Sequence, residues 1–311
     1  MKAKSTFNRV HQTISNIFQT DKFDIKVLFG GLTNQNYLIT LDKHVYVASI
    51  HDQNSSVLGI NRNNEIVNHT QAFNHGIAPQ IIHSEPGILI SEYIEGNVLK
   101  SGDIKRTNYL QRVIDALRRC HQIPKTQVSG TYSVIDDIER FTHISRRENA
   151  SFPDNLDWGM NQLHRIKAAI NQQFHGLTFC HNDTVPENMI DQGEHIVLID
   201  WEYSAVGDPY FDLGMLAAYH VLDVEQEQAL LRTYFGTVNT GAVARLKLLR
   251  ILSDLRDWSW ALVQTIIATT DFDYARYSDD RWKRFTSACS KPHFEILLSN
   301  CTHNPCLSIN N

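Results

Sequence analysis

The sequence predicts an α+β chain of two unequal lobes, a small antiparallel sheet carrying one helix followed by a larger, mainly helical region. Three observations predict it. Strand-period segments crowd before residue 95, long helical patterns fill most of the remaining chain, and the change of character falls at Glu95-Gly96. The expected division is residues 1–94 and 95–311.

Residues 5–19 set Phe7, Val10, Ile14, Ile17 and Phe18 at helical spacing, so the chain is expected to open with an amphipathic helix. The period then changes. Segments 24–30, 36–41 and 44–50 read as strands, the last two joined across Asp42-Lys43 as a tight hairpin. A helix over 63–75 carries Glu65 and is closed by Gly76 with Pro79 beyond. Strands at 80–84 and 88–94 complete a five-stranded sheet. Helical patterns come next at about 106–122, 154–175, 210–221, 225–235, 242–268 and 279–298, with strand-like interruptions only between Leu177 and Asp200. No internal repeat or low-complexity segment occurs.

With 311 residues the chain has room for two apposed lobes and a cleft. A net charge of −5 and a pI near 6.3, with no cluster of Lys and Arg, argue against nucleic acid as the main partner and favour a small molecule. The basic, amphipathic start lacks the apolar core and cleavage site of a secretory signal, and no apolar run reaches membrane-spanning length. Five cysteines without framework spacing suit a reducing cytoplasm. The Cys301-Thr-His-Asn-Pro-Cys306 cluster lacks a fourth metal ligand.

The richest segment is Cys180-His-Asn-Asp-Thr-Val-Pro-Glu-Asn-Met189, followed at strand length by Ile196-Val-Leu-Ile-Asp-Trp-Glu-Tyr203. Phosphoryl transfer needs a carboxylate to receive the proton of an attacking hydroxyl and hard oxygen ligands to hold the metal that neutralises nucleotide phosphates. Asp183, Asn188 and Asp200 are of the types that supply those functions. Taken singly, each is an ordinary turn or strand-end residue. Together, in a strand–loop–strand context, they point to chemistry.

These segments, with Gly207-Asp-Pro-Tyr-Phe-Asp-Leu-Gly214 after them, resemble the aminoglycoside phosphotransferase and choline kinase superfamily, nearest to bacterial choline/ethanolamine and thiamine kinases. The resemblance extends from Gly30-Gly-Leu-Thr-Asn-Gln-Asn-Tyr37 through Asn61-Arg62-x-x-Glu65, Gly76-Ile-Ala-Pro79 and Ile90-Ser-Glu-Tyr-Ile-Glu-Gly96 to about Gln264. It implies a protein-kinase-like fold with ATP and Mg²⁺ in the cleft, Asp183 as catalytic base, and Asn188 and Asp200 as Mg²⁺ ligands. His181 would brace the loop, and Asp212 would tie the following helix to it. Glu202 is read either as part of the metal or substrate shell or as a solvent-facing carboxylate. On the nucleotide side the resemblance implies Gly31, Thr33 and Asn34 over the phosphates, Glu65 in an ion pair facing them, and Glu92 and Tyr93 at the hinge beside adenine.

One position departs from the pattern. The strand over 45–50 reads Val-Tyr-Val-Ala-Ser-Ile, and Ser49 stands where members of the superfamily carry a basic residue that joins the phosphates to the helix glutamate. Arg62 is one possible substitute, although an i,i+3 surface pair with Glu65 is the plainer reading. A catalytically impaired, nucleotide-binding pseudokinase is therefore the rival to an active kinase. For the acceptor, Trp260 resembles the aromatic wall of the superfamily, with Tyr203 and acidic groups such as Glu202 completing a cage for a small cation. Trp258 reads as a packing residue. Choline is the first expected substrate, thiamine or ethanolamine the next, and an aminoglycoside would want more carboxylates than are available.

Overall fold

The structure is a computed structural model and describes residues 2–28, 34–51, 56–171, 176–268, 270–303 and 307. Helix α1 (Lys2–Phe18) lays Val10 and Ile14 on one face of a five-stranded antiparallel sheet, against Tyr37, Ile39, Ala48, Ile88 and Ile90. The strands are β1 (Asp24–Leu28), β2 (Gln35–Leu41), β3 (His44–Ile50), β4 (Ile81–Glu85) and β5 (Ile88–Glu92), in the order β1-β2-β3-β5-β4. Asp42 has φ +53°, as a two-residue hairpin turn between β2 and β3 demands. Side chains alternate across a strand, so with Tyr37, Ile39 and Ala48 turned to α1, Asn36 and its cross-strand neighbour Ser49 face the other side.

Helix α2 (Arg62–Asn74) begins where the side chain of Asn61 accepts from the amides of Asn63 and Asn64. It contacts β4 and carries Glu65, Asn68, His69 and Ala72 on its buried side.

The larger region holds α3 (Thr107–His121), α4 (Val134–Arg147), α5 (Leu156–Ile170), α6 (Pro209–Tyr219), α7 (Val224–Phe235), α8 (Thr240–Ile267), α9 (Tyr274–Cys289) and α10 (His293–His303). Helix α8 is its axis: it is buried along most of its length, and α4, α6, α9 and α10 pack on it. A Cβ on Gly214 of α6 would stand 2.7 Å from the Arg250 amide nitrogen, so these two helices meet backbone to backbone. No described helix is long and apolar enough to cross a membrane.

Two small strand groups carry the site. β6 (Asn97–Val98), β8 (Met189–Asp191) and β9 (Ile196–Leu198) form one, and β7 (Thr178–Cys180) pairs with β10 (Ala205–Gly207) in the other. β6 follows Gly96, where an added Cβ would lie 2.6 Å from the Asp191 carbonyl oxygen. The chain that joins sheet to helices is thus pressed against β8.

Several elements differ from expectation. Helix α4 was not foreseen, although Ser133 caps it, Asp136 and Asp137 open it and Arg146 and Arg147 close it. The single helix expected over 279–298 is two, divided around Pro292, which has no amide hydrogen to continue α9. The helix expected over 154–175 ends at Ile170. β6 and β10, only two and three residues long, are too short to show a period.

Candidate active site

The loop between β7 and β8 is held from beneath by one buried carboxylate. Asp212, in the first turn of α6, accepts from the amides of His181 (2.9 Å) and Asn182 (2.7 Å) and from His121 Nε2 (2.9 Å). Its own carbonyl accepts from Thr184 Oγ1 at 2.7 Å. His121 Nδ1 bonds the Tyr234 hydroxyl. His121, Cys180 and Asp212 are metal-ligating types brought within reach of one another, but the imidazole and carboxylate already serve this network. Asp212→Ala would strand two amides and a ring N–H in the core, and we expect a loss of about 3 kcal/mol in urea unfolding.

His181 braces the loop as expected. Its Nε2–H donates to the Ile199 carbonyl at 3.0 Å and its ring lies 4.6 Å from that of Trp201. Burial lowers its pKa, so the ring is neutral at physiological pH.

Asp183, Asn188 and Asp200 converge. Asn188 Nδ2 donates to the Asp183 carbonyl (3.0 Å) and to its Oδ2 (2.9 Å), while the Asn188 carbonyl accepts the Ile199 amide at 3.0 Å. Loop and β9 are thereby locked together, one residue before Asp200. Asn182 (φ +62°) and Asp200 (φ +64°) both occupy the left-handed region, where short polar side chains are the non-glycine residues best tolerated.

The site is rich in carboxylates. Burial pushes Asp183 up to about 7, with Glu202 and Asp257 adding to the rise and Arg256 and Asn188 opposing it. Asp200 is driven well above the carboxylate range, first by burial and then by Glu202, Asp183 and Glu65. Glu65 is likewise raised to about 7, by burial foremost. Four mutually repelling carboxylates in a poorly solvated space make a strong claim on a divalent cation. Asn188 spends its amide nitrogen on Asp183, and its amide oxygen is of the type that could ligate such an ion.

Arg62 is not a surface partner of Glu65. Its Nη1 lies 2.7 Å from Glu65 and 3.1 Å from Glu202, and its Nη2 is 3.5 Å from Asn34 Oδ1. Both carboxylates are nearly inaccessible, at 4% and 2% side-chain exposure, so the pair is turned inward. Glu202 is not solvent-facing either, because it also accepts from Asn34 Nδ2 at 3.2 Å. Of the expected phosphate-covering residues, Asn34 reaches this cluster, while Gly31 and Thr33 lie outside the described residues. At the expected hinge, the Glu92 and Tyr93 amides donate to Gln80 O (2.9 Å) and Val45 O (3.0 Å), so both amide hydrogens are already engaged.

Of the two tryptophans weighed for the acceptor, Trp260 packs in one cluster with Tyr203, Phe141 and Tyr274, whereas Trp258 belongs to the main core beside Trp282. The residue missed from sequence is Arg256. Its Nη1 stands 3.7 Å from Asp183 Oδ1, and its guanidinium lies 4.5 Å over the Tyr203 ring, so one face of that ring already carries a cation. No sequence signal sets Arg256 apart, because α8 also buries Arg245, Asp254 and Asp257. Cys301 is buried in α10, and Cys306 lies outside the described residues.

A family model described as choline/ethanolamine kinase matches residues 25–233. The chain is 30% identical over 262 residues to Protein LicA of Haemophilus influenzae, covering 79% of this chain and 75% of that protein. A choline/ethanolamine kinase family protein from Mesorhizobium loti superposes with TM-score 0.77 at 25% identity, covering 90% of this chain and 92% of the other. The choline kinase LicA from Streptococcus pneumoniae gives TM-score 0.76 at 22% identity, covering 91% and 99%, and shares the fold.

Proposed function

This chain belongs to the choline/ethanolamine kinase family, kinases that phosphorylate an alcohol, and from that premise we propose that it moves the γ-phosphoryl group of ATP, with Mg²⁺, onto the hydroxyl of a small cationic alcohol, choline first. The observation that supports the reading is the Asp183–Asn188 hydrogen bond, which fixes the proposed base against one of the proposed metal ligands. Mg²⁺, when bound, supplies the positive charge that offsets the phosphates. Asn188 and Asp200 would hold it. Asp183 orients the acceptor hydroxyl and takes its proton, and a pKa near 7 suits a base that works at neutral pH. Asn188 keeps that carboxylate in place while the transfer proceeds in line.

In the same proposal, residues 1–94 hold the nucleotide through Gly31, Thr33, Asn34, Glu65, Glu92 and Tyr93, and residues 95–311 hold the acceptor. Trp260 supplies an aromatic face for the cationic head of the acceptor, while Tyr203 and Glu202 shape the polar end. Arg256 shields part of Tyr203, which limits how many cationic groups the pocket accepts and weighs against an aminoglycoside. Ethanolamine and thiamine remain the competing substrates. The four described cysteines are unpaired and buried, which fits the reducing cytoplasm where ATP is abundant.

A substrate panel tests this reading. With Mg·ATP and choline, ethanolamine, thiamine or an aminoglycoside, mass spectrometry should show a phosphorylated product, greatest for choline. Transfer to thiamine alone would move the substrate assignment, and no transfer to any member would count against the acceptor class.

A further inference from the structure

We propose that Arg62, at the start of α2, is the side chain that meets the nucleotide phosphates, with Glu65 and Glu202 holding it in place; this rests on the ATP-dependent reading above. Strand β3 offers no cation for the task. The face of β3 turned away from α1 presents Val45, Val47 and Ser49, and opposite Ser49 stands Asn36, so no charged group of this strand reaches the cleft. Phosphates entering a space already occupied by Asp183, Asp200, Glu202 and Glu65 need positive charge from the protein as well as from metal. Arg62 is placed to give it.

Three relations fix its position. Nη1 engages Glu65 and Glu202 together, which restrains the guanidinium from two sides. Nη2 points to Asn34, the residue immediately before β2. Glu202 stands two residues after the proposed metal ligand Asp200, so the contact at 3.1 Å ties the guanidinium to that segment. Asn34, α2 and the segment of Asp200 and Glu202 therefore meet at one side chain. Its 22% exposure, against near-complete burial of both carboxylates, sets the guanidinium on the solvent side of the cluster, where a ligand arrives.

The test compares Arg62→Met, Arg62→Lys and the double variant Arg62→Met/Ser49→Arg with the parent by calorimetric titration of Mg·ATP, Mg·ADP and adenosine. Arg62→Met should weaken Mg·ATP and Mg·ADP about 10- to 100-fold while adenosine changes less than about threefold. Arg62→Lys should retain an intermediate affinity, because charge persists without the fork. The double variant should recover at least about tenfold, because a long cation on β3 faces the same space. Unchanged Mg·ATP affinity in Arg62→Met would overturn the assignment, as would an equal loss for adenosine, which marks a structural role. If Arg62→Met does not fold, Arg62→Lys decides: parent-like affinity for all three ligands with a parent-like melting curve would sink the bidentate contact. A parent that binds no adenine nucleotide would instead remove the ATP reading itself, and Arg62's role with it.

Discussion

Asp183→Asn should lower kcat by about 10³-fold or more while Mg·ATP affinity stays within a few-fold of the parent. The substitution keeps the size of the side chain and an oxygen able to accept from Asn188 Nδ2, so the loop has little reason to move. What is lost is the carboxylate proposed to accept the proton of the acceptor hydroxyl. The pH profile separates this loss from a fold defect. Because burial raises Asp183 to about 7, the parent's kcat/KM should fall about tenfold per pH unit below neutrality, as the carboxylate takes up a proton and ceases to be a base. The variant should show no such acid limb. A profile that keeps the limb in Asp183→Asn would assign the proton to another residue.

Asp200→Asn should abolish the stabilisation that Mg·ATP confers and, in metal-free buffer, raise the melting temperature. The two effects have one origin. Asp200 is held well above its ordinary pKa by burial and by Glu202, Asp183 and Glu65, so its ionised form costs the folded state more than the unfolded one. Between the unfolded pKa near 4 and the raised folded pKa, the folded state binds the extra proton, and stability falls as pH rises through that interval. Asparagine removes this cost along with the metal-ligating charge. At pH 8 the nucleotide-free variant should melt about 2–4 °C above the parent, a gap that closes toward pH 4, while the Mg·ATP shift and about 10³-fold of kcat/KM are lost. A variant that melts lower than the parent at every pH would show that the carboxylate is structural.

The sheet was legible because its signals are local. The strand-period runs over β2 and β3 and the two-residue turn at Asp42-Lys43 locate the strands to within a residue, and Gly76 closes the stretch read as α2. Asp183, Asn188 and Asp200 were legible for a related reason, since they lie in one short stretch of chain that the structure draws together. The features that escaped notice depend on packing. Arg62 reads as a surface residue at i,i+3 to Glu65, and only the approach of Glu202, far along the chain, turns it inward. Arg256 is invisible as a site residue until α8 is laid beside the loop. β6 has no meaning apart from its register with β8, and the division between α9 and α10 at Pro292 was masked by apolar residues that keep helical spacing across it.

The single carboxylate beneath the loop has a bearing on motion. Asp212 joins two loop amides, α3 through His121 and its own helix in one buried network, so the loop has no loosened state of its own short of opening the large lobe's core. Chemistry is performed on a surface as stiff as the protein's interior. The freedom needed to admit a nucleotide and release a product must then lie in elements that do not share this tether, above all the five-stranded sheet. Catalytic geometry and ligand exchange are thereby assigned to different parts of one chain, and a change that quickens one need not disturb the other.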